Sequence, residues 1–406
     1  MMSKKILFLT PYPLGKAPSQ RFRFEFFLDK LKEGRWKVDQ QSFISEEGWQ
    51  VLYKEGNQLK KLRAVLSGFV RRKLMLFRAN RHDYIFIHRE LTPFGPPIFE
   101  WFLAKVLRKK IIYDFDDAIW LNDGHDGNPL WTWLKWRSKI AMICRWSWKV
   151  SAGNEYLADY AKQFCKQVEV VPTVVDTERH SDTRTYLTAG RHSDLPDGRQ
   201  AVGQSDGSDT WTSKGETEAH KTDKNLARSS SKLSTIASQL PVVGWTGSHS
   251  TLFYLDMILP ILQQLEKDHE FTFLVIANRD PKPEVKNYQF IRWSKENEVH
   301  DLSQIDIGIM PLEDTEWAKG KCGFKLIQYG AMGIPSIASP VGTNLHVIQE
   351  NETGLFASSP KEWYEKLKKL LQDSRLRTEM GAKAREWIVK QYSVESLESK
   401  FLALFE

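Results

Sequence analysis

Continuous apolar runs, each followed by apolar residues at helical spacing, recur along most of the chain. Such runs are typical of strands that a parallel sheet buries on both faces, with a helix covering each connection. In the first half these runs are Lys4–Thr10, Asp83–His88, Lys110–Trp120, which runs into aspartates, Val150–Asn154 and Val168–Asp176. In the second half they are Leu240–Thr251, which ends in a loop, Phe271–Ala277, Phe290–Ser294, Asp306–Pro311, Ser336–Ser339 and Gly354–Phe356. Two successive series of βα units predict an α/β protein with two doubly wound, Rossmann-like domains that face each other across a cleft.

Apolar periodicity stops between the two series. Residues 179–237 are rich in Ser, Thr, Asp, Gly, Arg and Lys, so burial cannot offset the entropy that ordering them would cost. We therefore expect an N-terminal domain at 1–178, a polar, disordered insertion at 179–237 and a C-terminal domain at 238–384. Residues 385–406 are predicted to form C-terminal helices. The pattern leaves open whether these helices pack back on the N-terminal domain.

The segment Trp317–Gly342 has the pattern of a loop, a helix, a tight turn and a strand. Gly320 and Gly323 loosen the backbone before the helix, and three lysines surround the helix start: Lys319, Lys321 and Lys325. A helix N-terminus offers unpaired N–H groups and a positive dipole end, which suits phosphate. An ordinary αβ unit with a solvated basic turn would give the same pattern.

Three aspartates follow a buried strand in the first half of the chain, namely Asp114, Asp116 and Asp117. Carboxylates at the end of a strand cost desolvation energy unless they bind something. They could hold sugar hydroxyls, orient a proton transfer or chelate a divalent ion such as Mg²⁺. Helix capping and internal hydrogen bonding are the structural alternative.

Two loops of the first half carry polar side chains where open α/β sheets bind ligands, at the carboxyl ends of strands. Ser19, Arg21 and Arg23 follow the first strand, and Arg89 and Glu90 follow the second predicted one. The first loop lacks a G-x-G-x-x-G pattern, so a dinucleotide fingerprint is not supported.

Residues 59–81 form a basic amphipathic pattern without an acidic residue. Such a helix can lie on an anionic bilayer, or it can pack on the core and leave a solvated basic side. A second stretch interleaves tryptophan with Lys and Arg, and its members are Trp131, Trp133, Trp136, Trp146 and Trp148. An interfacial surface and ordinary core packing both fit that stretch. Nucleic acid is disfavoured, because no repeated aromatic platform on strands is visible.

Composition and charge indicate which partners and which cellular compartment to expect. The chain has 406 residues, a net charge of +7 and a pI near 9.0, which favours anionic partners. Its three cysteines lack metal or redox spacing, as in a reducing compartment. The N-terminus is too short in apolar length for a signal peptide, and no apolar run could span a bilayer. We therefore expect a cytoplasmic protein, with peripheral attachment to the inner face of the membrane left open.

Five stretches in this order resemble the retaining glycosyltransferases of family 4, which have GT-B architecture. They are Lys5–Arg23, Ile112–Trp120, Pro172–Asp176, Val243–Thr251 and Lys319–Gly342. The resemblance implies that the last stretch binds a nucleotide-sugar donor. Its implied donor-binding residues are Gly247, Ser248, Trp293, Lys321, Phe324, Lys325, Leu326 and Gln328, with the amides of Phe324, Lys325 and Leu326 on the diphosphate and Trp293 near the nucleobase.

The chain departs from the family pattern at several positions. Gly320 and Gln328 stand where relatives have two glutamates eight positions apart, and Asp116 stands where many have a histidine. The usual Arg and Lys after the first strand of the second domain are replaced by Trp245–His249. Positive charge for the diphosphate would then come from the three lysines near the helix start. A subset of the family with Asp-x-Asp-Asp at this strand end resembles the chain.

The resemblance implies transfer of a sugar from a nucleoside-diphosphate donor to an acceptor hydroxyl with retention, in surface polysaccharide or glycolipid synthesis. Asp116, with Asp114 and Asp117, would be catalytic, while Ser19, Arg21, Arg23, Arg89 and Glu90 would lie on the acceptor side. We expect no cofactor and no metal, only the nucleotide sugar as substrate, a saccharide or lipid-linked acceptor, and an anionic membrane surface as an open partner of 59–81. The alternatives are a non-catalytic nucleotide-sugar-binding protein of polysaccharide assembly and a sugar-nucleotide epimerase of similar architecture.

Overall fold

A computed structural model describes residues 4–34, 36–52, 56–121, 134–180 and 240–406. The predicted insertion at 179–237 lies outside the described residues except for its first two positions. Trp131 and Trp133 also lie outside them.

The first domain is built on a parallel sheet. Its strands are β1 (Lys5–Thr10), β2 (Lys37–Ser42), β3 (Tyr84–His88), β4 (Lys110–Phe115), β5 (Lys149–Ala152) and β6 (Val168–Val170). They lie in the order β2-β1-β3-β4-β5-β6, with every pair parallel. The strands predicted from apolar runs are present, and the edge strand β2 is an addition.

Helices connect these strands. They are α1 (Pro18–Arg21), α2 (Leu28–Glu33), α3 (Glu46–Leu52), α4 (Gln58–Ala79), α5 (Ile98–Trp101), α6 (Lys139–Trp146) and α7 (Glu155–Lys162). A 3₁₀ turn at Glu25–Phe27 precedes α2, and a π-helical turn at Phe102–Val106 extends α5.

The second domain contains a second parallel sheet in the order β12-β11-β10-β7-β8-β9. Its strands are β7 (Val242–Gly247), β8 (Thr272–Ala277), β9 (Tyr288–Arg292), β10 (Ile307–Met310), β11 (Ser336–Ala338) and β12 (Gly354–Phe356). Its helices are a 3₁₀ segment at His249–Met257, α8 (Leu259–Leu265), α9 (Glu298–Leu302), α10 (Glu316–Lys319), α11 (Phe324–Ala331), α12 (Asn344–Val347), α13 (Pro360–Gln372) and α14 (Ser374–Tyr392). The expected α/β architecture of two doubly wound domains is therefore confirmed.

The end of the chain returns to the first domain. Helix α15 (Val394–Leu402) and the turn Ala403–Phe405 place Phe401 and Phe405 in a buried cluster with residues of β1 and β3. The Phe401 ring stacks on Phe27 with centroids 4.3 Å apart. The crossing occurs after Tyr392, so the boundary expected at residue 384 falls inside α14.

The strand orders bring the ligand-binding edges together. Strand order reverses between β1 and β3 in one sheet and between β7 and β10 in the other, and such switch points open crevices at the carboxyl ends of strands. Phe22, from the loop after β1, packs on Phe324 at the start of α11, with ring centroids 4.2 Å apart. The two crevices therefore face each other.

Candidate active site

A pocket of about 150 Å³, open to solvent, lies between the domains. We call it the cleft pocket; it is lined by Pro18, Ser19, Phe22, Arg23, Asp116, Asp117, Thr173, Met310, Lys321, Cys322, Gly323, Phe324 and Lys325. Residues expected on the acceptor side, in the aspartate cluster and at the donor helix thus meet in one place.

Helix α11 begins at this pocket. Gly323 precedes it with a φ of +66°, a backbone conformation that residues with a side chain rarely adopt. A Cβ at this position would lie 3.0 Å from Val347. The first N–H groups of a helix lack carbonyl partners within that helix. The turn therefore presents backbone donors and a positive dipole end where Lys321 and Lys325 also lie.

Lys325 lies above the Trp245 ring, with its Nζ 5.2 Å from the ring centroid. Burial, together with the nearby charge of Lys321, lowers the pKa of Lys325 to about 8. Trp245 is itself buried at the end of β7. The Trp245 ring thus forms the surface on which this lysine rests.

Asp116 and Asp117 are both bonded to cationic side chains, and Asp117 is bonded across the domain boundary. Arg89 Nε donates to Asp116 at 2.8 Å, and Arg89 Nη2 donates to Asp117 at 3.4 Å. Lys321 Nζ, from the second domain, donates to the other Asp117 oxygen at 2.9 Å. Burial opposes the charge of Arg89, but the two carboxylates raise its pKa overall. Two carboxylates and two cationic side chains therefore lie within hydrogen-bonding distance of one another at this pocket.

Asp114 does not line the cleft pocket, contrary to its predicted place among the catalytic residues. It is 1% exposed and accepts hydrogen bonds from Arg23, from Ser151 at 2.7 Å and from His88 at 2.8 Å. Burial alone would raise the pKa of Asp114, but Arg23 and His88 hold it well below its usual range. Asp114 thus fixes the position of Arg23, which lines the cleft pocket.

Arg21 is also placed differently from the prediction of an acceptor-side residue. It is buried in an ion pair with Glu298 of the second domain. Trp293, expected beside the nucleobase, donates its Nε1–H to the other oxygen of Glu298 at 3.2 Å. These three side chains form a contact between the domains.

The other predicted donor residues are not among the residues that line the cleft pocket. Gly247 ends β7 over Trp245, and Ser248 shares a hydrogen bond of 2.8 Å with Ser250. Gln328 is 2% exposed, and the side chain of Leu326 is buried in the core. Lys319 pairs instead with Glu316 at 2.7 Å on the surface, so it does not add charge to the pocket.

The structure gives a steric reason for glycine at position 320. A Cβ on Gly320 would lie 2.6 Å from the Cβ of Ala118 in the first domain. Cys322 next to this loop donates its S–H to the backbone oxygen of Asp116 at 3.2 Å. A glutamate at position 320 would therefore collide with the opposite domain.

Asn154 is a site-supporting residue that the sequence did not reveal. Its Nδ2 donates to Thr343 at 2.9 Å and to the Lys321 backbone oxygen at 3.1 Å, while its Oδ1 caps α7. An Asn directly after a strand and before a helix signals a cap, but not that it also holds a loop of another domain.

A second pocket, of about 380 Å³, is lined mainly by the first domain and includes Arg89 in its wall. We call it the N-domain pocket; its lining includes Phe43, Leu52, Val65, Arg89, Glu90, Leu91, Phe94, Lys139, Ile140 and Trp317. Glu90 pairs with Lys139 at 2.5 Å. Arg89 and Glu90 therefore line this pocket, and Arg89 also bonds the two carboxylates that line the cleft pocket.

No group of three or more His, Cys, Asp or Glu side chains arranged to hold a metal ion is found among the described residues. Within the same residues, no helix combines the length and apolar character needed to cross a membrane.

Comparisons with known proteins add to this geometry. Residues 240–373 match the family described as glycosyl transferases group 1. No curated protein matches the chain significantly.

Solved structures with a similar overall fold are numerous. A glycosyltransferase from Rickettsia africae superposes with a TM-score of 0.63 at 13% identity, over 99% of this chain and 98% of that one. Sucrose-phosphate synthase from Thermosynechococcus elongatus gives 0.62 at 12% identity, over 99% and 98%. Anabaena HepE in complex with UDP-glucose gives 0.58 at 11% identity, over 99% of both chains. At such identities the likeness shows the fold alone, so the chain has the GT-B fold, and its second domain matches the glycosyl transferases group 1.

Proposed function

We propose that this protein is a retaining glycosyltransferase that moves a sugar from a nucleoside diphosphate to an acceptor hydroxyl. The family match of the second domain and the GT-B fold support transfer from a nucleotide donor. The observation that carries the proposal is the cleft pocket, where the start of α11 and two lysines of one domain face two carboxylates of the other.

The diphosphate would lie at the start of α11. The amides of Phe324, Lys325 and Leu326 would donate to its oxygens, and the ammonium groups of Lys321 and Lys325 would balance its charge. Lys321 now bonds Asp117, so the arriving diphosphate would compete with that carboxylate for the lysine. After this exchange Asp117 would keep its hydrogen bond from Arg89.

The reaction would break the bond between the anomeric carbon and the diphosphate oxygen and form a bond to the acceptor oxygen on the same face. The acceptor proton would pass to the departing diphosphate oxygen. Charge that develops on this leaving group would be stabilised by the amides and lysines, an effect worth several kcal/mol. Asp116, held by Arg89, would orient the sugar or the acceptor hydroxyl.

We further propose that the reaction needs no metal, because lysines and backbone amides can neutralise the leaving group. The oxygens of Asp116 and Asp117 already accept bonds from cationic side chains. Turnover that persists in EDTA is expected; turnover that requires added Mg²⁺ would contradict this part of the proposal.

The test uses the release of free nucleoside diphosphate from a panel of nucleotide sugars. Lys325→Ala should lower turnover by about 10²–10³-fold, because it removes a charge facing the leaving group. Lys319→Ala is the matched control, since its surface ion pair with Glu316 lies outside the pocket, and it should keep near-normal turnover.

Equal turnover in both variants would reject the placement of the diphosphate. Donor binding without any release of nucleoside diphosphate by the wild-type protein would favour a non-catalytic nucleotide-sugar-binding protein instead. The lack of a glutamate at position 320 does not by itself favour that alternative, because Ala118 occupies the space.

We propose that the acceptor is a saccharide or a lipid-linked saccharide of surface polysaccharide or glycolipid synthesis. The basic composition and the basic helix α4 support this assignment.

A further inference from the structure

Helix α4 has a second apolar face that points away from the domain. One face packs inward through Gly68, Met75 and Ala79. The opposite face carries six apolar side chains that are 54–76% exposed: Leu59, Leu62, Leu66, Val70, Leu74 and Phe77. At about 3.6 residues per turn, all six lie within about 60° of one line along the helix. We call them the outer face of α4.

A helix that is apolar on two opposite faces is normally buried on both. The outer face extends from Leu59 to Phe77, about 27 Å at the rise of an α-helix. A contiguous exposed apolar patch of this kind marks an interaction site. The neighbouring α5, which contacts α4, exposes Ile98 and Trp101 as well.

Charge identifies the kind of partner. Arg63 and Lys73 lie within the outer face, Lys60 and Arg78 lie beside it, and α4 contains no acidic residue. An anionic bilayer attracts each such side chain by about 1 kcal/mol and accepts apolar residues at its headgroup boundary. A row of apolar side chains flanked by positive charge suits such a bilayer. The lipid headgroups attract the positive side chains, and the acyl boundary accepts the apolar ones along the full length of the helix.

The N-domain pocket lies between helix α4 and the cleft. Val65 of α4 and Leu52 of α3 form part of its apolar wall, and Arg89 lies at its polar end. The same Arg89 bonds Asp116 and Asp117, which line the cleft pocket. An amphiphile whose apolar part lies against Val65 could thus bring its polar head to Arg89, next to the proposed donor.

We propose that the outer face of α4 docks on an anionic bilayer and that the acceptor is a lipid-linked molecule whose anionic head enters the N-domain pocket. This inference rests on the proposed glycosyltransferase function and names its acceptor class.

Co-sedimentation of the full chain with vesicles tests the docking. The protein binds vesicles that contain phosphatidylglycerol, binds phosphatidylcholine vesicles weakly, and loses binding as salt is raised. The triple variant Leu66→Gln, Val70→Gln, Phe77→Gln lowers partition into anionic vesicles by about tenfold or more. Leu345→Gln is the control, because Leu345 is similarly exposed, at 51%, but lies in the second domain.

Wild-type protein that stays in the supernatant with anionic vesicles, or a triple variant that sediments as well as the control, overturns the docking. Because the variants change exposed side chains, we expect them to fold normally. Their melting temperatures check this. Release of nucleoside diphosphate without vesicles is measured in parallel and stays unchanged in the triple variant. Wild-type protein that does not bind anionic vesicles but still releases nucleoside diphosphate therefore refutes the inference alone, whereas absence of that release by the wild-type protein refutes the proposed function.

The pocket is tested with dodecyl phosphate, below its micelle concentration, by calorimetry. Wild-type protein binds it, and binds sodium phosphate and octyl glucoside more weakly. Val65→Trp narrows the pocket and weakens the binding, with folding checked by circular dichroism. Equal affinity for all three probes in the wild-type protein overturns the assignment of the pocket, whether or not the variant folds.

Discussion

The surroundings of Lys325 favour the binding of an anion next to its ammonium group. Burial, together with the nearby charge of Lys321, lowers its pKa to about 8, so the ligand-free protein loses this proton as the pH rises through that value. A bound diphosphate would restore a pKa closer to that of a free lysine. Donor binding near this pH would therefore take up a proton.

We predict that donor affinity falls as the pH rises from about 8 toward 10, by up to about tenfold per pH unit. Calorimetry in two buffers of different ionisation enthalpy measures the linked proton at pH 8.5. Lys325→Arg stays charged over this range and should bind without that uptake. An identical proton uptake in the arginine variant would show that another group is responsible.

The residues of the cleft pocket and of the contact between the domains differ in how far the sequence reveals them. Lys321, Lys325, Asp116 and Asp117 stand out because each lies where a local pattern predicts a strand end or a helix start. Glu298 does not, since its partner Arg21 is 277 positions away. Such long-range pairs depend on how the two domains meet, which no local pattern encodes.

The same limit applies to Gly320. The sequence shows only that a glycine replaces an expected glutamate. The neighbouring Ala118, which explains the replacement, comes from a distant part of the chain in the other domain.

At the scale of elements, α4 shows what periodicity can and cannot predict. The pattern over residues 59–81 predicts a basic amphipathic helix, and the structure has one at Gln58–Ala79. The pattern leaves core packing and a bilayer face as alternatives. The structure has both kinds of surface, because two apolar stripes lie on opposite sides of the helix.

Strand β2 escaped prediction for a physical reason. It pairs only with β1 at the edge of the first sheet, and its sequence Lys37–Ser42 is polar except for Val38. An edge strand needs little apolar surface, so its sequence lacks the apolar run that identified the central strands.

The C-terminal helix α15 leads to a prediction about stability. Phe401 is buried against Phe27 in the core of the first domain. Phe401→Ala should lower the free energy of unfolding of that domain by about 3–5 kcal/mol through lost burial and a cavity. Amide hydrogen exchange of β1 and β3 measures this loss.

Lys400→Ala is the matched control one residue earlier on the same helix, and its exposed position should limit its effect to about 0.5 kcal/mol. Protection that falls only in the second domain, or equally for both variants, would contradict the role of α15 in the first domain.

At the scale of the whole molecule, alternating βα units predicted two doubly wound domains, and the sheets have that organisation. Their mutual placement depends on contacts such as Phe22 with Phe324 and Arg21 with Glu298. The buried ion pair is sensitive to loss of one member, because the remaining charge stays without a partner.

We predict that Glu298→Ala favours separation of the domains by about 3–5 kcal/mol, since it leaves Arg21 uncompensated and removes the acceptor of Trp293. Small-angle X-ray scattering should then report a larger radius of gyration. The double variant Arg21→Met, Glu298→Leu removes both charges and should return the radius toward the wild-type value. A radius that is unchanged in Glu298→Ala would show that other contacts hold the domains.

The central claim is that the cleft pocket binds a nucleotide sugar at the start of α11. A thermal-shift screen of nucleotide sugars tests it most directly, because a ligand at about 100 times its Kd stabilises the folded protein by about 2.7 kcal/mol. At least one nucleotide sugar should raise the melting temperature of the wild-type protein and of Lys319→Ala, but much less that of Lys325→Ala. No shift with any nucleotide sugar, or equal shifts in all three proteins, would contradict the claim.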